Sequence, residues 1–365
     1  MRILIFSLSY IPLVGGAEVA VKEITDRIQD IEFDMVTLRF DKSHPKFEKV
    51  GNINVYRIGG GFGYLSKILF VPQAAMFAMR RHYDALWSLM TYMLLPVVIA
   101  RILGNRTPYI LTLQDGDPWT HVFNRFRIFP FLPLLFYGFK RAAKVQAISN
   151  FLASWALKMG HKEKVEVIPN GVDVSSFKKS GDDLDKSSDE FVLITTSRLV
   201  EKNGIGDIIE ALQFLPENVK LKILGTGPLE KKLKEKSRKL NVSERIEFLG
   251  YVQQQDIPAH LWGADAFVRP SLSEGMGNSF IEAMAAGLPI IGTPVGGIPD
   301  FLKDGETGLF CEPSDPKSIA RQIERLMKDG ELRNKLIENG RKLAGERYDW
   351  SLIVNEMKTL VFDKV

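Results

Sequence analysis

The chain has 365 residues, 45% hydrophobic and 25% charged, which exceeds what one core usually supports and leaves no long disordered tract, so two domains are expected. A lone cysteine, Cys311, excludes a disulfide framework and a cysteine metal cluster, and histidines at 44, 82, 121, 161 and 260 show no ligand spacing, so no metal is expected. The net charge of +4 is uneven, because residues 1–170 carry 21 Lys and Arg against 13 Asp and Glu, which leaves the remainder acidic.

Met1-Arg2 leads into Ile3-Leu4-Ile5-Phe6, but Ser7, Ser9 and Pro12 cut that run short of a signal-peptide core. No segment reaches the roughly 18 to 20 unbroken apolar residues of a spanning helix, and a cytoplasmic enzyme is expected. Strands are predicted at 2–7, 35–39, 55–58, 85–88, 109–113, 145–148 and 164–168, with helices near 16–29, 69–82, 93–103, 133–142 and 150–159. A second series has strands at 191–196, 220–224, 245–249, 266–269, 289–292 and 308–310, again with helices between. Such alternation implies an α/β fold of two doubly wound, Rossmann-like domains, 1–170 and 171–347, facing across a cleft. The polar stretch from Asn170 to Glu190 is the expected join.

Several motifs fall just past strands, where such sheets bind ligands. Gly15-Gly16-Ala17-Glu18 opens the first helix, and its backbone can approach a diphosphate without a Cβ in the way, although a lone Gly-Gly is also an ordinary turn. It is no G-x-G-x-x-G fingerprint, which tells against a dinucleotide-dependent dehydrogenase. Arg198 and Lys202 supply two cations four residues apart, suited to a pyrophosphate leaving group or simply to a solvated loop. Gly225 and Val252 end two further strands, and the latter loop could offer backbone groups to a nucleobase. The run from Ser273 to Pro289 places Glu274 and Glu282 around an amide-rich turn, Gly275-Met276-Gly277-Asn278. Ser279-Phe280-Ile281-Glu282 reads as a capping box, which would put Gly275 to Ser279 in the loop feeding the helix. Free amides there suit a diphosphate or sugar hydroxyls, and a carboxylate is the usual holder of a ribose diol. Simple capping by Glu282 and simple solvation of Glu274 remain the alternative.

Between Lys49 and Lys162 there are 14 basic residues and only three acidic ones. Residues 123–144 interleave Phe123, Phe126, Phe129, Phe131, Phe136, Tyr137 and Phe139 with Arg125, Arg127, Lys140, Arg141 and Lys144. That pattern suggests a surface resting on anionic lipid or receiving an anionic acceptor, with ordinary core packing as the alternative. No nucleic-acid signature is present.

Taken together and in this order, the motifs resemble the retaining GT-B glycosyltransferases of the large group 1 family. Val167-Ile168-Pro169-Asn170-Gly171, Gly296-Gly297-Ile298-Pro299-Asp300 and Asp304-Gly305-Glu306-Thr307-Gly308 extend the resemblance over nearly the whole chain. It implies a first domain that binds the acceptor, a second that binds the donor, and a final helix at 348–365 that packs back onto the first. The implied reaction moves a glycosyl group from a nucleoside diphosphate sugar, the co-substrate, to a hydroxyl of a glycan or lipid-linked acceptor, with no cofactor and no metal. Arg198 and Lys202 would hold the diphosphate with Gly15 and Gly16, Glu282 the ribose, and Glu274 with the amides of Gly275 to Asn278 the transferred sugar. The enzyme is expected at the inner face of the cell membrane. One departure is Gln114, where the family often has histidine: glutamine cannot change charge, and Asp115 or Asp117 is the expected compensation. A sugar-nucleotide epimerase and a catalytically silent sugar-nucleotide-binding protein remain as alternatives.

Overall fold

The computed structural model describes residues 1–13, 15–60, 63–178 and 189–365, with only the backbone at Tyr64. The expected join at 170–190 lies partly outside the described residues. Internal packing divides the chain into one unit of Met1–Asn170 with Trp350–Val365 and a second of Gly171–Asp349.

The first unit contains β1 (Arg2–Phe6), β2 (Glu32–Leu38), β3 (Phe47–Val50), β4 (Ile53–Ile58), β5 (Ala85–Leu89), β6 (Tyr109–Leu113), β7 (Lys144–Ala147) and β8 (Val165–Val167). They lie in the order β3-β4-β2-β1-β5-β6-β7-β8, and every pair is parallel except β3 with β4. Ile3 to Phe6 are all fully buried, as a strand covered on both faces requires. The β3 strand was not expected from sequence. Phe47-Glu48-Lys49-Val50 sits at the sheet edge with no buried side chain, so it needs no apolar run, and Gly51 at φ 57 turns it into β4.

One face of this sheet buries Ile3, Phe33, Trp87 and Ile110 against Val21 and Ile24 of the helix Gly16–Arg27. The same core takes in Trp350, Ile353, Met357 and Phe362 from the far end of the chain, and the Phe362 ring meets Trp87 edge-on at 5.0 Å. This terminal helix starts at Trp350, not 348, and passes into a π-helical turn at Met357–Val361, while Tyr348 and Asp349 stay with the second unit.

The second unit contains β9 (Phe191–Thr196), β10 (Val219–Leu224), β11 (Ile246–Gly250), β12 (Ala266–Arg269), β13 (Ile290–Gly292) and β14 (Leu309–Phe310), all parallel in the order β11-β10-β9-β12-β13-β14. Its core joins Leu193, Leu221, Ile223 and Val268 of the sheet to Ile208, Ile209, Ile319 and Ile323 of flanking helices. The direction in which successive strands are added across the sheet reverses between β9 and β12, and in the first unit between β1 and β5. Ligands of doubly wound sheets bind beyond the carboxyl ends of the strands at such switch points.

Candidate functional site

In the second unit, four neighbouring strands end in the loops that carry the candidate donor residues: Val252 after β11, Gly225 after β10, Arg198 and Lys202 after β9, and Glu274 after β12. Backbone contacts lash these loops together. The Leu272 N–H donates to the Lys202 carbonyl at 2.7 Å, the Gly225 N–H to the Gly250 carbonyl at 2.7 Å, and the Gly297 N–H to the Glu274 carbonyl at 3.1 Å. Glycine is required at two of these crossings. A Cβ on Gly225 (φ 129) would overlap the Ser197 carbonyl, and one on Gly296 (φ 57) would overlap the carbonyl of Glu274. A depression of about 230 Å³ opens nearby, lined by Val200, Glu201, Gly204, Asp207, Lys232 and Lys236 among others, and none of the candidate donor residues lines it.

Arg198 is exposed and Lys202 half-buried, on a loop held from beneath by Asn203, whose Nδ2 donates to the Arg198 carbonyl at 2.7 Å. Glu274 is not simply solvated, which was the alternative to a role in holding the sugar. Its side chain is buried and ion-paired with Arg269, and its Oε1 accepts the Gly275 N–H at 3.1 Å. Arg269 itself is buried, and burial pulls its guanidinium down to about 10, although the charge of Glu282 opposes that shift.

The expected capping box does not form. The helix spans Asn278–Ala286, so Asn278 and Ser279 are its first two residues, and Gly277 at φ 96 is an N-cap with no side chain to donate or accept. Ser279 Oγ is instead taken by Arg269 Nη1 at 2.6 Å. Glu282 is therefore free of a capping role. It is largely enclosed by protein but keeps part of its surface open, and desolvation pushes its carboxyl up to about 7 against the pull of Arg269.

The remaining candidates lie in the first unit. Gly15 caps the helix Gly16–Arg27, but its N–H donates to Glu18 Oε2 at 2.9 Å, so that amide is engaged and a carboxylate stands at this helix start. Gln114 and Asp115 follow β6. Asn170 Nδ2 approaches Gln114 Oε1 at 3.4 Å. Asp115 Oδ2 accepts from the Thr91 N–H at 3.3 Å and the Thr91 hydroxyl at 3.1 Å, which oppose desolvation; the net result is a carboxyl raised to about 6. Thr91 follows β5, so Asp115 leans toward the switch point of its own sheet. Among the described residues, no group of three or more His, Cys, Asp or Glu is placed to hold a metal ion.

The aromatic and basic stretch at 123–144 divides in two. Phe123 and Phe139 are core residues, Phe123 packing edge-on to Trp155 at 5.5 Å, whereas Phe126 (89% exposed), Phe129, Phe131, Phe136 and Tyr137 face solvent among exposed Arg125, Lys140 and Arg141. No helix among the described residues is long and apolar enough to cross a membrane. Sequence reading missed Arg269 and Asn203. The available signal was a charged residue closing Ala266-Phe267-Val268, an otherwise apolar buried strand.

Comparisons with known proteins agree with this architecture. The model of the family described as glycosyl transferases group 1 matches residues 176–343, and that described as glycosyltransferase family 4 matches residues 14–176. The chain is 27% identical to N-acetyl-alpha-D-glucosaminyl L-malate synthase of Bacillus anthracis over 96% of this chain and 95% of that protein. It is 24% identical to alpha-monoglucosyldiacylglycerol synthase of Acholeplasma laidlawii over 100% and 98% of the two chains. Among solved structures, sucrose-phosphate synthase from Thermosynechococcus elongatus superposes with a TM-score of 0.85 at 19% identity, covering 99% of this chain and 98% of that one. Anabaena HepE in complex with UDP and glucose gives 0.81 at 23% identity, with both chains fully covered. These likenesses establish two parallel-sheet α/β domains of the GT-B kind, and the chain belongs to the group 1 glycosyltransferases.

Proposed function

We propose that this glycosyltransferase is a retaining, metal-independent hexosyltransferase that moves a sugar from a nucleoside diphosphate sugar to a hydroxyl of a glycan or lipid-linked acceptor. The observation that carries this reading is the cluster at the β9–β12 switch point, where Arg198, Lys202 and Glu274 stand on loops lashed together by backbone hydrogen bonds and Glu282 stands on the helix that follows. Arg198 and Lys202 hold the diphosphate and stabilise its charge as it departs, which is work a metal would otherwise do. Glu282 accepts hydrogen bonds from the ribose. Glu274 and the glycine-rich stretch Gly275 to Asn278 at the helix start orient the sugar, with the base against the backbone around Val252 and Gly225. The first unit receives the acceptor through the loop of Gln114 and Asp115.

The exposed Phe126, Phe129 and Phe131 among arginines support a peripheral position on an anionic membrane at the cytoplasmic face. The relative named for a glucosylated diacylglycerol is in keeping with a lipid acceptor. A thermal-shift screen over UDP-, GDP- and ADP-sugars identifies the donor, because a ligand that binds the fold raises its melting temperature. Transfer assays with that donor then follow. If Glu282→Ala and Lys202→Ala kept both donor affinity and transfer, the site would be elsewhere.

Gln114 supports one rival, a silent sugar-nucleotide-binding protein, since a glutamine at the end of β6 cannot change charge near neutral pH. That rival binds donor and transfers nothing.

A further inference from the structure

Arg269 is the residue that nothing in the proposed reaction yet uses. It is 8% exposed and closes β12, where the preceding Ala266, Phe267 and Val268 are apolar and fully buried. A buried guanidinium is costly unless its donors are met, and its Nε has no partner. An apolar side chain at this strand end would therefore serve the core better.

What the guanidinium reaches is informative. Nη2 is ion-paired with Glu274 and lies 3.4 Å from Asn203 Oδ1, while Nη1 donates to Ser279 Oγ at 2.6 Å. Its Cζ stands 5.2 Å from the centre of the Phe280 ring, which supports it from the helix start. Asn203 in turn donates to the carbonyl of Arg198. One planar fork thus touches the loop after β9, the loop after β12 and the first turn of Asn278–Ala286. A carboxylate with no counter-ion in such a place would protonate or swing away, and would then be a poor acceptor for a sugar hydroxyl. Lysine would supply the charge but not the fork.

We propose that Arg269 is a positioning residue for the donor: its guanidinium holds the Glu274 carboxylate at the transferred sugar and, through Asn203, ties it to the Arg198–Lys202 loop. This rests on the reading of Glu274 and Glu282 as donor-holding groups. It predicts that Arg269 governs how the sugar is presented and not how the nucleoside diphosphate is held.

The test uses the full chain as Arg269→Met, Arg269→Lys and Glu282→Ala. kcat and donor KM are measured with the donor from the screen, and affinity is measured for the matching free UDP, GDP or ADP. Misplacement of a reacting group by about 1 Å can cost about 100-fold, so Arg269→Met should lower kcat about 100-fold, with nucleoside diphosphate affinity within about threefold of wild type. Arg269→Lys should recover about tenfold of that loss by restoring the charge alone. Wild-type kcat in Arg269→Met overturns the proposal, and so does an equal loss of kcat and nucleoside diphosphate affinity. Where Arg269→Met does not fold, Arg269→Lys decides: a kcat about tenfold below wild type with the nucleoside diphosphate still bound supports the proposal, and an unchanged kcat overturns it. Glu282→Ala separates the two levels. Nucleoside diphosphate affinity that survives it sinks the site reading and this inference with it. Loss there, with wild-type kcat in both Arg269 variants, sinks the positioning role alone.

Discussion

The candidate loops of the two units hold their carboxylates differently. In the second, Glu274 has a buried counter-ion, its loop is bonded to the neighbouring loops, and glycines let backbones touch at Gly225 and Gly296. In the first, Asp115 accepts from the Thr91 amide and hydroxyl, with no cation in that pairing, while aromatic side chains stand in solvent at Phe126 and Phe129. A site preorganised by fixed charges suits a ligand with invariant parts, such as a diphosphate and a ribose. A looser, apolar surface suits a partner that varies or is a membrane. Each difference can be broken separately.

The largest effect is expected at Lys202. Removing one charged donor aimed at a leaving group costs about 1,000-fold, so Lys202→Ala should lower kcat/KM about that much in a steady-state assay. Next is Gly296→Ala, whose Cβ would displace the Glu274 carbonyl. The strained left-handed backbone should cost about 1–3 kcal/mol in denaturant unfolding, and displacement of Glu274 about 100-fold in kcat. An unchanged kcat there would show that the loop is not the rigid part of the site. On the apolar side, Phe126→Ser with Phe129→Ser should weaken sedimentation with anionic vesicles at low salt about 30-fold, with melting temperature unmoved, since exposed rings contribute little to folding.

A smaller effect separates the two carboxylates by pH. Glu282 titrates near 7 in the fold against an ordinary value of 4.5, so the fold favours its protonated form. Its contribution to stability is present below about 4.5 and is lost as pH rises through about 7. Glu282→Gln should therefore flatten the fall in melting temperature across that window while weakening the donor. On the proposed role of Glu282 at the ribose, binding draws on the ionised form, so donor affinity should drop about tenfold between pH 8 and pH 6, and the Gln variant should lose that slope. The smallest effect is at Asp115, near 6. Asp115→Asn should lower kcat about fivefold and remove a pH-rate limb near that value. Turnover unchanged from pH 5 to 8 would take Asp115 out of the mechanism.

The strands were legible where both faces are covered. β6, β9 and β12 lie on largely apolar runs whose bounds agree with the expectation, because a strand covered on both faces is apolar over most of its length, the charged Arg269 that closes β12 being the exception. β3 was illegible for the opposite reason: an edge strand with no buried side chain leaves no hydrophobic trace. The positions of Gly225 and Gly296 could be read because close backbone approach leaves glycine in the sequence. The start of Asn278–Ala286 could not. Ser279 and Glu282 have capping-box spacing, but the hydroxyl belongs to Arg269, ten residues back and across a turn, and local spacing does not report such a partner. The stretch at 123–144 misled differently. Its prolines break any period that would have separated buried Phe123 and Phe139 from the exposed rings.

The terminal segment carries a consequence for synthesis. Residues 350–362 complete the core around Phe33 and Trp87, yet they follow the whole of the second unit in the chain. On the ribosome, where domains tend to fold in the order they emerge, the second unit can finish while the first still exposes an aromatic sheet face. The interval lasts for the translation of about 180 residues, roughly 10 to 40 s at about 5 to 20 residues per second. Nascent chains arrested before residue 350 should therefore be the ones that chaperones hold, and release should coincide with the emergence of Phe362.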